Sequence, residues 1–199
     1  MLKYIFTLAA VILFLTNISA QIKIDAEAPK FTLKDSNGKE HSLNDFEGKY
    51  VVLEWINFDC PFVKKHYNSD NMQTLQKEYV GKDVVWLLIC SSAEGKQGHF
   101  SNNEINKRLK ALGANATAYL IDEDGKVGKK YGAKTTPHMF VINPEGKLIY
   151  AGAIDDKPST DVDDIDEAVN YVREALNASL AGNAVKVKTS TPYGCSVKY

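Results

Sequence analysis

The chain has 199 residues, 44% of them hydrophobic and 25% charged, with a net charge of −1. That balance suits one globular domain with a sizeable core, and it gives no electrostatic reason to expect nucleic acid or an acidic membrane as partner. Three cysteines are too few for a disulfide scaffold, and the odd number leaves one thiol over after any internal pairing.

In chain order, Lys3 followed by the apolar run Tyr4 to Leu15 and then Asn17-Ile18-Ser19-Ala20 has the layout of a secretory signal cleaved after Ala20. The run is shorter than the roughly 20 residues a membrane span needs. The expectation is an exported protein, periplasmic or secreted, with a soluble mature chain over 21–199 and no stable membrane insertion. No cysteine follows the cleavage point, so nothing suggests a lipid anchor.

Phe31-Thr32-Leu33 before Asp35-Ser36-Asn37-Gly38-Lys39 reads as a strand entering a hairpin. Ser42 to Phe46 reads as a short helical turn. Lys49 to Asn57 is β-branched and aromatic with Glu54 embedded in it, a buried-strand pattern. A helix is expected to start at Cys60-Pro61, since proline suits the first helical position, and to run to Tyr79. Val84 to Cys90 is a second apolar strand, Asn102 to Leu112 a helix, and Ala118 to Ile121 a third strand. A helical turn over Val127–Tyr131 precedes Thr135-Thr136-Pro137. Met139–Ile142 and Leu148–Ala151 flank the turn Asn143-Pro144-Glu145-Gly146-Lys147. Asp164 to Leu180 reads as a long amphipathic helix, and 183–199 as a tail without a strong pattern. This order predicts an α/β domain with a mixed central sheet flanked by helices.

The segments EWINFDCPFV, TTP and MFVINPEGKLIYAG, with the final helix, resemble the thioredoxin superfamily. Within it they look like the redoxin branch, peroxiredoxin-like and related to AhpC/TSA proteins. The opening APKFTLKDSNGKEHSLNDFEGKYVVL is similar to that branch's N-terminal hairpin. The resemblance implies a thioredoxin-like fold in which Cys60 holds the place of the first motif cysteine, while Val63 occupies the second. It also implies that Glu54 is a buried acid assisting proton transfer and that Pro137 is the cis-proline beside the active cysteine. Thr136 would then pair with substrate through its backbone. A peroxiredoxin would carry its peroxidatic cysteine at the position of Val63 and an arginine near Pro137. The only arginines, Arg108 and Arg173, are out of that register, so peroxidase activity does not follow from the likeness.

A thiol at a helix N-terminus faces free backbone N–H groups and the positive end of the macrodipole, which favours thiolate. Lys64 and Lys65 read as a charged, solvated face. His66 and His138 read first as ordinary polar residues, with His138 the stronger candidate because it follows Pro137. Cys90 reads as core filling. About thirteen residues separate Gly182 from Cys195, a reach of up to about 43 Å, so the tail thiol can return to Cys60. The expected catalytic set is Cys60, Glu54 and Cys195; the expected substrate-binding set is Thr136, Pro137, His138 and Pro61.

No phosphate loop or metal motif stands out, so no cofactor and no metal are expected. The leading reading is a thiol oxidoreductase or antioxidant acting on a protein disulfide or a hydroperoxide, with an external thiol reductant. The alternatives are a non-catalytic binding module for client proteins and a copper-handling protein using Cys60, His66 and His138. The export reading has a direct check: mass spectrometry of the protein from a cell-envelope fraction should find the chain starting at Gln21. Intact residues 1–20 on protein from the cytoplasm would contradict it.

Overall fold

The two apolar runs become central strands that are buried along their whole length. β3 (Val51–Trp55) and β4 (Val85–Cys90) lie side by side in parallel, in the register Val51↔Val85 to Trp55↔Ile89. The structure, a computed structural model, describes residues 22–199; the expected signal sequence lies outside the described residues.

Around this pair, β1 (Thr32–Asp35), β2 (Glu40–Ser42), β5 (Ala118–Ile121), β7 (His138–Ile142) and β8 (Leu148–Gly152) complete a seven-stranded sheet in the order β2-β1-β5-β4-β3-β7-β8. β5 joins β4 in parallel, whereas β7 runs antiparallel to β3 and to β8. The mixed sheet and the N-terminal hairpin match the expectation. Strand alternation divides the core in two. Val52, Ile56, Tyr67, Leu88, Met139 and Leu176 fill one face, and Leu53, Trp55, Tyr131 and Phe140 belong to the other.

Three expectations need correction. The helix expected from Cys60 to Tyr79 is two helices, α1 (Pro61–Asn68) and α2 (Asn71–Val80). Between them Asp70 takes a left-handed conformation at φ 57°, which ends one helical path and starts another. The next two helices, α3 (Asn102–Ala111) and α4 (Lys126–Tyr131), follow the sequence reading. The long helix expected from Asp164 reduces to a 3-10 turn at Asp163–Ile165 and α5 (Tyr171–Leu180). Asn170 sets its start, its side chain accepting from the Arg173 N–H.

The third correction concerns the tail, which is threaded back over the sheet. Ala151 N donates to Lys188 O at 3.1 Å, and Ser190 Oγ accepts from Ala153 N at 2.9 Å. Gly152 lets this segment lie close, because a Cβ there would fall 2.3 Å from Ser190 Oγ. The chain then forms β9 (Cys195–Ser196), antiparallel to β6 (Thr135–Thr136) in a separate two-stranded sheet. Tyr199 ends the path with its hydroxyl donating to Ala133 O at 2.7 Å. Gly152→Val should therefore detach the tail without breaking the main sheet. Hydrogen exchange should then show faster exchange at Val197 while the β3 and β4 amides keep their protection.

Candidate active site

Cys60 is the N-cap of α1, with extended backbone angles (φ −72°, ψ 125°) and Pro61 as the first helical residue. Its side chain is fully buried, and its thiol donates to the backbone carbonyl of Thr136 at 3.0 Å. The Thr136–Pro137 peptide bond is cis, as expected, and both residues are buried. Pro61 itself is exposed beside them.

The tail thiol arrives through the β6–β9 pairing, which sets Cys195 opposite Thr136. Cys195 packs against the core cluster that contains Cys60. Burial raises the Cys60 pKa. Hydrogen bonds from the Cys195 thiol, the Thr136 side chain and the N–H groups of Val63 and Cys195 outweigh that and hold it below the ordinary thiol value. The Thr136 hydroxyl is buried with no hydrogen-bond partner, which leaves its proton free to be donated to a Cys60 thiolate. Cys195 shifts the opposite way: burial, then the bond and charge of Cys60, push it up to about 11. The two thiol pKa values are thus driven in opposite directions, with Cys60 the more readily ionised of the pair.

Glu54 is fully buried in the middle of the sheet. Trp86 Nε1 donates to Oε2 at 2.8 Å, Gln76 Nε2 to Oε2 at 3.2 Å, and Tyr67 OH to Oε1 at 3.0 Å. Burial lifts its pKa to about 7 against the pull of these three donors. Its hydrogen bonds lead to the far end of α1 and to α2, and among the described residues none runs to Cys60.

The histidines separate. His138 follows Pro137, but its ring lies tilted against Phe140, centroids 4.4 Å apart, on the sheet face away from Cys60, and Nδ1 accepts from Lys134 N. Burial, then Lys134, drives its pKa down to about 3, so it is neutral. His66 is fully buried, with Asn71 at one ring nitrogen and Tyr193 at the other. Cys60, His66 and His138 therefore do not converge, and the described residues contain no group of three ligands placed for a metal ion. Cys90 sits in the core, its thiol directed at Ser92 Oγ and Gly98 O.

Lys65 is also buried rather than on a solvated face; its ammonium donates to Lys157 O at 2.9 Å. With Asp155 and Tyr193 it forms a polar cluster that the sequence reading missed. Its one sequence signal is Lys65 itself, which lies between Val63 and Tyr67 on the inner side of α1.

A sheet of this order, with a thiol capping a helix beside a cis-proline, defines a thioredoxin-fold thiol protein. The sequence profile of the AhpC/TSA family matches residues 24–151, and the chain belongs to that family. The thiol-disulfide oxidoreductase ResA of Bacillus subtilis is 30% identical over 124 residues, which is 62% of this chain and 64% of that protein. The chain thus spans just under two thirds of that relative. An uncharacterized conserved protein from Geobacillus kaustophilus superposes with a TM-score of 0.79 at 29% identity, covering 90% of this chain and 94% of the other. The thioredoxin domain of a thiol-disulfide oxidoreductase from Bacteroides vulgatus shares the fold, with a TM-score of 0.52 at 22% identity over 66% of this chain and 89% of that one. No helix among the described residues is long and apolar enough to cross a membrane.

The buried carboxyl gives a signed prediction. Its folded pKa of about 7 stands above the ordinary 4.5, so the native state holds this proton more tightly than the unfolded chain does. Stability from this source is complete below pH 4.5 and is lost as pH rises through 7, amounting to about 3 kcal/mol. In Glu54→Gln the amide oxygen can accept from Trp86 and Gln76, and its NH2 can donate to Tyr67. Urea melts from pH 4.5 to 8 should show the wild type losing stability that Glu54→Gln keeps. Parallel pH profiles for the two proteins would refute the shift.

Proposed function

We propose that the chain is an exported thiol-disulfide oxidoreductase in which Cys60 attacks and Cys195 resolves. The observation that carries this reading is the seating of Cys195 opposite Thr136, beside a Cys60 thiol whose pKa is lowered. The ResA likeness and the family membership support it, and the signal-like residues 1–20 support the compartment.

In this scheme the Cys60 thiolate attacks one sulfur of a client disulfide. A Cys60–client mixed disulfide forms, and the other client sulfur leaves as a thiolate. Cys195 then attacks the Cys60 sulfur, its proton passing to the departing second client thiolate. The products are a reduced client and a Cys60–Cys195 disulfide, which an external dithiol returns to the two thiols while becoming a disulfide itself. Glu54 enters as a buried acid against the same helix; its charge change near pH 7 alters the field along α1, and Glu54→Gln should flatten the pH dependence of exchange. A protein disulfide suits the site better than a hydroperoxide. Once β9 leaves it, the Thr136 edge offers backbone pairing to an extended chain, whereas Val63 and the absence of an arginine beside Pro137 leave a peroxide without its usual partners.

The test is turnover with a disulfide-bonded protein such as insulin and a dithiol reductant. Cys60→Ser should lower the rate by about 100-fold or more, and Cys195→Ser should accumulate a mixed disulfide between Cys60 and the client. Faster consumption of hydrogen peroxide than of insulin disulfides would favour an antioxidant role. Client binding that is indifferent to Cys60→Ser, with no turnover, would favour the binding module.

A further inference from the structure

The reduced chain poses a problem for any enzyme working through Cys60: the thiol is 0% exposed, because its own tail lies over it. Ser196 and Cys195 pair with Thr135 and Thr136, so the tail takes the backbone positions along that edge that an outside chain would need, and the bonds from Val197 N to Lys134 O and from Ala93 N to Lys198 O extend its hold further along the tail. Client access to Cys60 therefore requires the tail to lift, and its attachment determines how often that happens.

Beside the thiols the tail is attached, two residues before Cys195, by a chain of polar groups in which His66 and Asp155 are buried and Asn71 and Tyr193 half-buried. Asn71 Nδ2 donates to His66 Nδ1 at 2.9 Å, which places the ring proton on Nε2, 3.2 Å from the Tyr193 hydroxyl. That leaves the phenol hydrogen free to be donated to Asp155 Oδ1. His66 is 0% and Asp155 2% exposed, so both ends of the relay are fixed in the core. The Lys65 ammonium lies 5.9 Å from the centre of the Tyr193 ring, and the Phe62 ring meets it edge-on. Asp155 Oδ2 is buried without a partner, so this carboxylate depends on Oδ1 and the Tyr193 phenol for its side-chain contact with the tail. Next to the latch, Gly194 (φ +134°) touches the Thr136 carbonyl; a Cβ there would fall 2.1 Å from the oxygen. Tyr193, Gly194 and Cys195 thus act as anchor, close approach and thiol in three consecutive residues.

We propose that the Tyr193 phenol, clamped by Asp155 and His66, is the positioning group that seats Cys195 on Cys60 and closes the cleft, and that release of this latch admits an outside disulfide. The inference rests on the oxidoreductase reading for its purpose, though not for its test.

The full chain carries its own control in Cys90, which is buried at the end of β4 with its thiol directed at Ser92 and Gly98 rather than at the tail. In the reduced protein, iodoacetamide labelling followed by mass spectrometry should show Cys60 reacting about tenfold faster in Tyr193→Phe than in the wild type, with Cys90 unchanged. Equilibration with reduced and oxidised glutathione should show the Cys60–Cys195 disulfide weakened by a similar factor, since the two thiols are held together less of the time. Asp155→Asn, which keeps an acceptor for the phenol, should lie between the two. Gly194→Ala, which pries the strap away at a second point, should move Cys60 in the same direction. Wild-type Cys60 labelling in both Tyr193→Phe and Gly194→Ala would overturn the latch, as would Cys90 becoming reactive in step with Cys60. Because labelling needs no turnover, a protein with no exchange activity would refute the oxidoreductase reading and still leave the latch decided by Cys60 exposure.

Discussion

The pairing of Thr136 with Cys195 is the contact on which the arrangement of the site depends. Cys60 is held at the start of α1 just after β3, and Thr136 just before β7, so both are anchored by elements of the main sheet without belonging to it. Cys195 reaches them only because a two-residue strand finds an edge with free backbone groups. Such a short ladder is weak by itself, and it persists through side-chain anchors spread along the tail: Ser190 against Gly152, Tyr193 against Asp155, and Tyr199 against Ala133. The site is complete only when these remote contacts hold.

In the proposed chemistry this arrangement makes up for the valine at position 63. A dithiol built into one helical turn keeps both sulfurs in a fixed frame, at the cost of little freedom in how they approach. Here the second sulfur comes from a separate segment, and its higher pKa fits the roles proposed for the pair, with Cys60 as nucleophile and Cys195 as proton holder. The same segment lies beside the buried Cys60; in the proposed scheme it guards the thiolate against wasteful oxidation and ties access to the detachment of one strap.

Much of this was legible in the sequence where local pattern carries the information. Apolar runs with β-branched residues marked β3 and β4, proline after cysteine marked the start of α1, and a carboxylate inside an apolar strand marked Glu54 as buried. What escaped was non-local. Nothing in the local pattern of Asn68-Ser69-Asp70-Asn71 required the left-handed turn that splits α1 from α2. β9 is two residues long, too short for any periodicity, and its partner lies about sixty residues away. The need for glycine at 194 exists only once the Thr136 carbonyl is in place. Lys65 looked solvated because its partners, Lys157 and Ser159, come from a loop after β8 that the pattern of α1 cannot reveal.

The account stands or falls on whether Cys60 and Cys195 form one redox unit. The most direct measurement is peptide mapping under non-reducing conditions, after oxidation of the full chain with diamide and alkylation of the remaining thiols. The account predicts that the Cys60 and Cys195 peptides are joined within one chain while Cys90 carries the alkyl label. Recovery of Cys195 as a free, alkylated thiol while Cys60 is oxidised would contradict it.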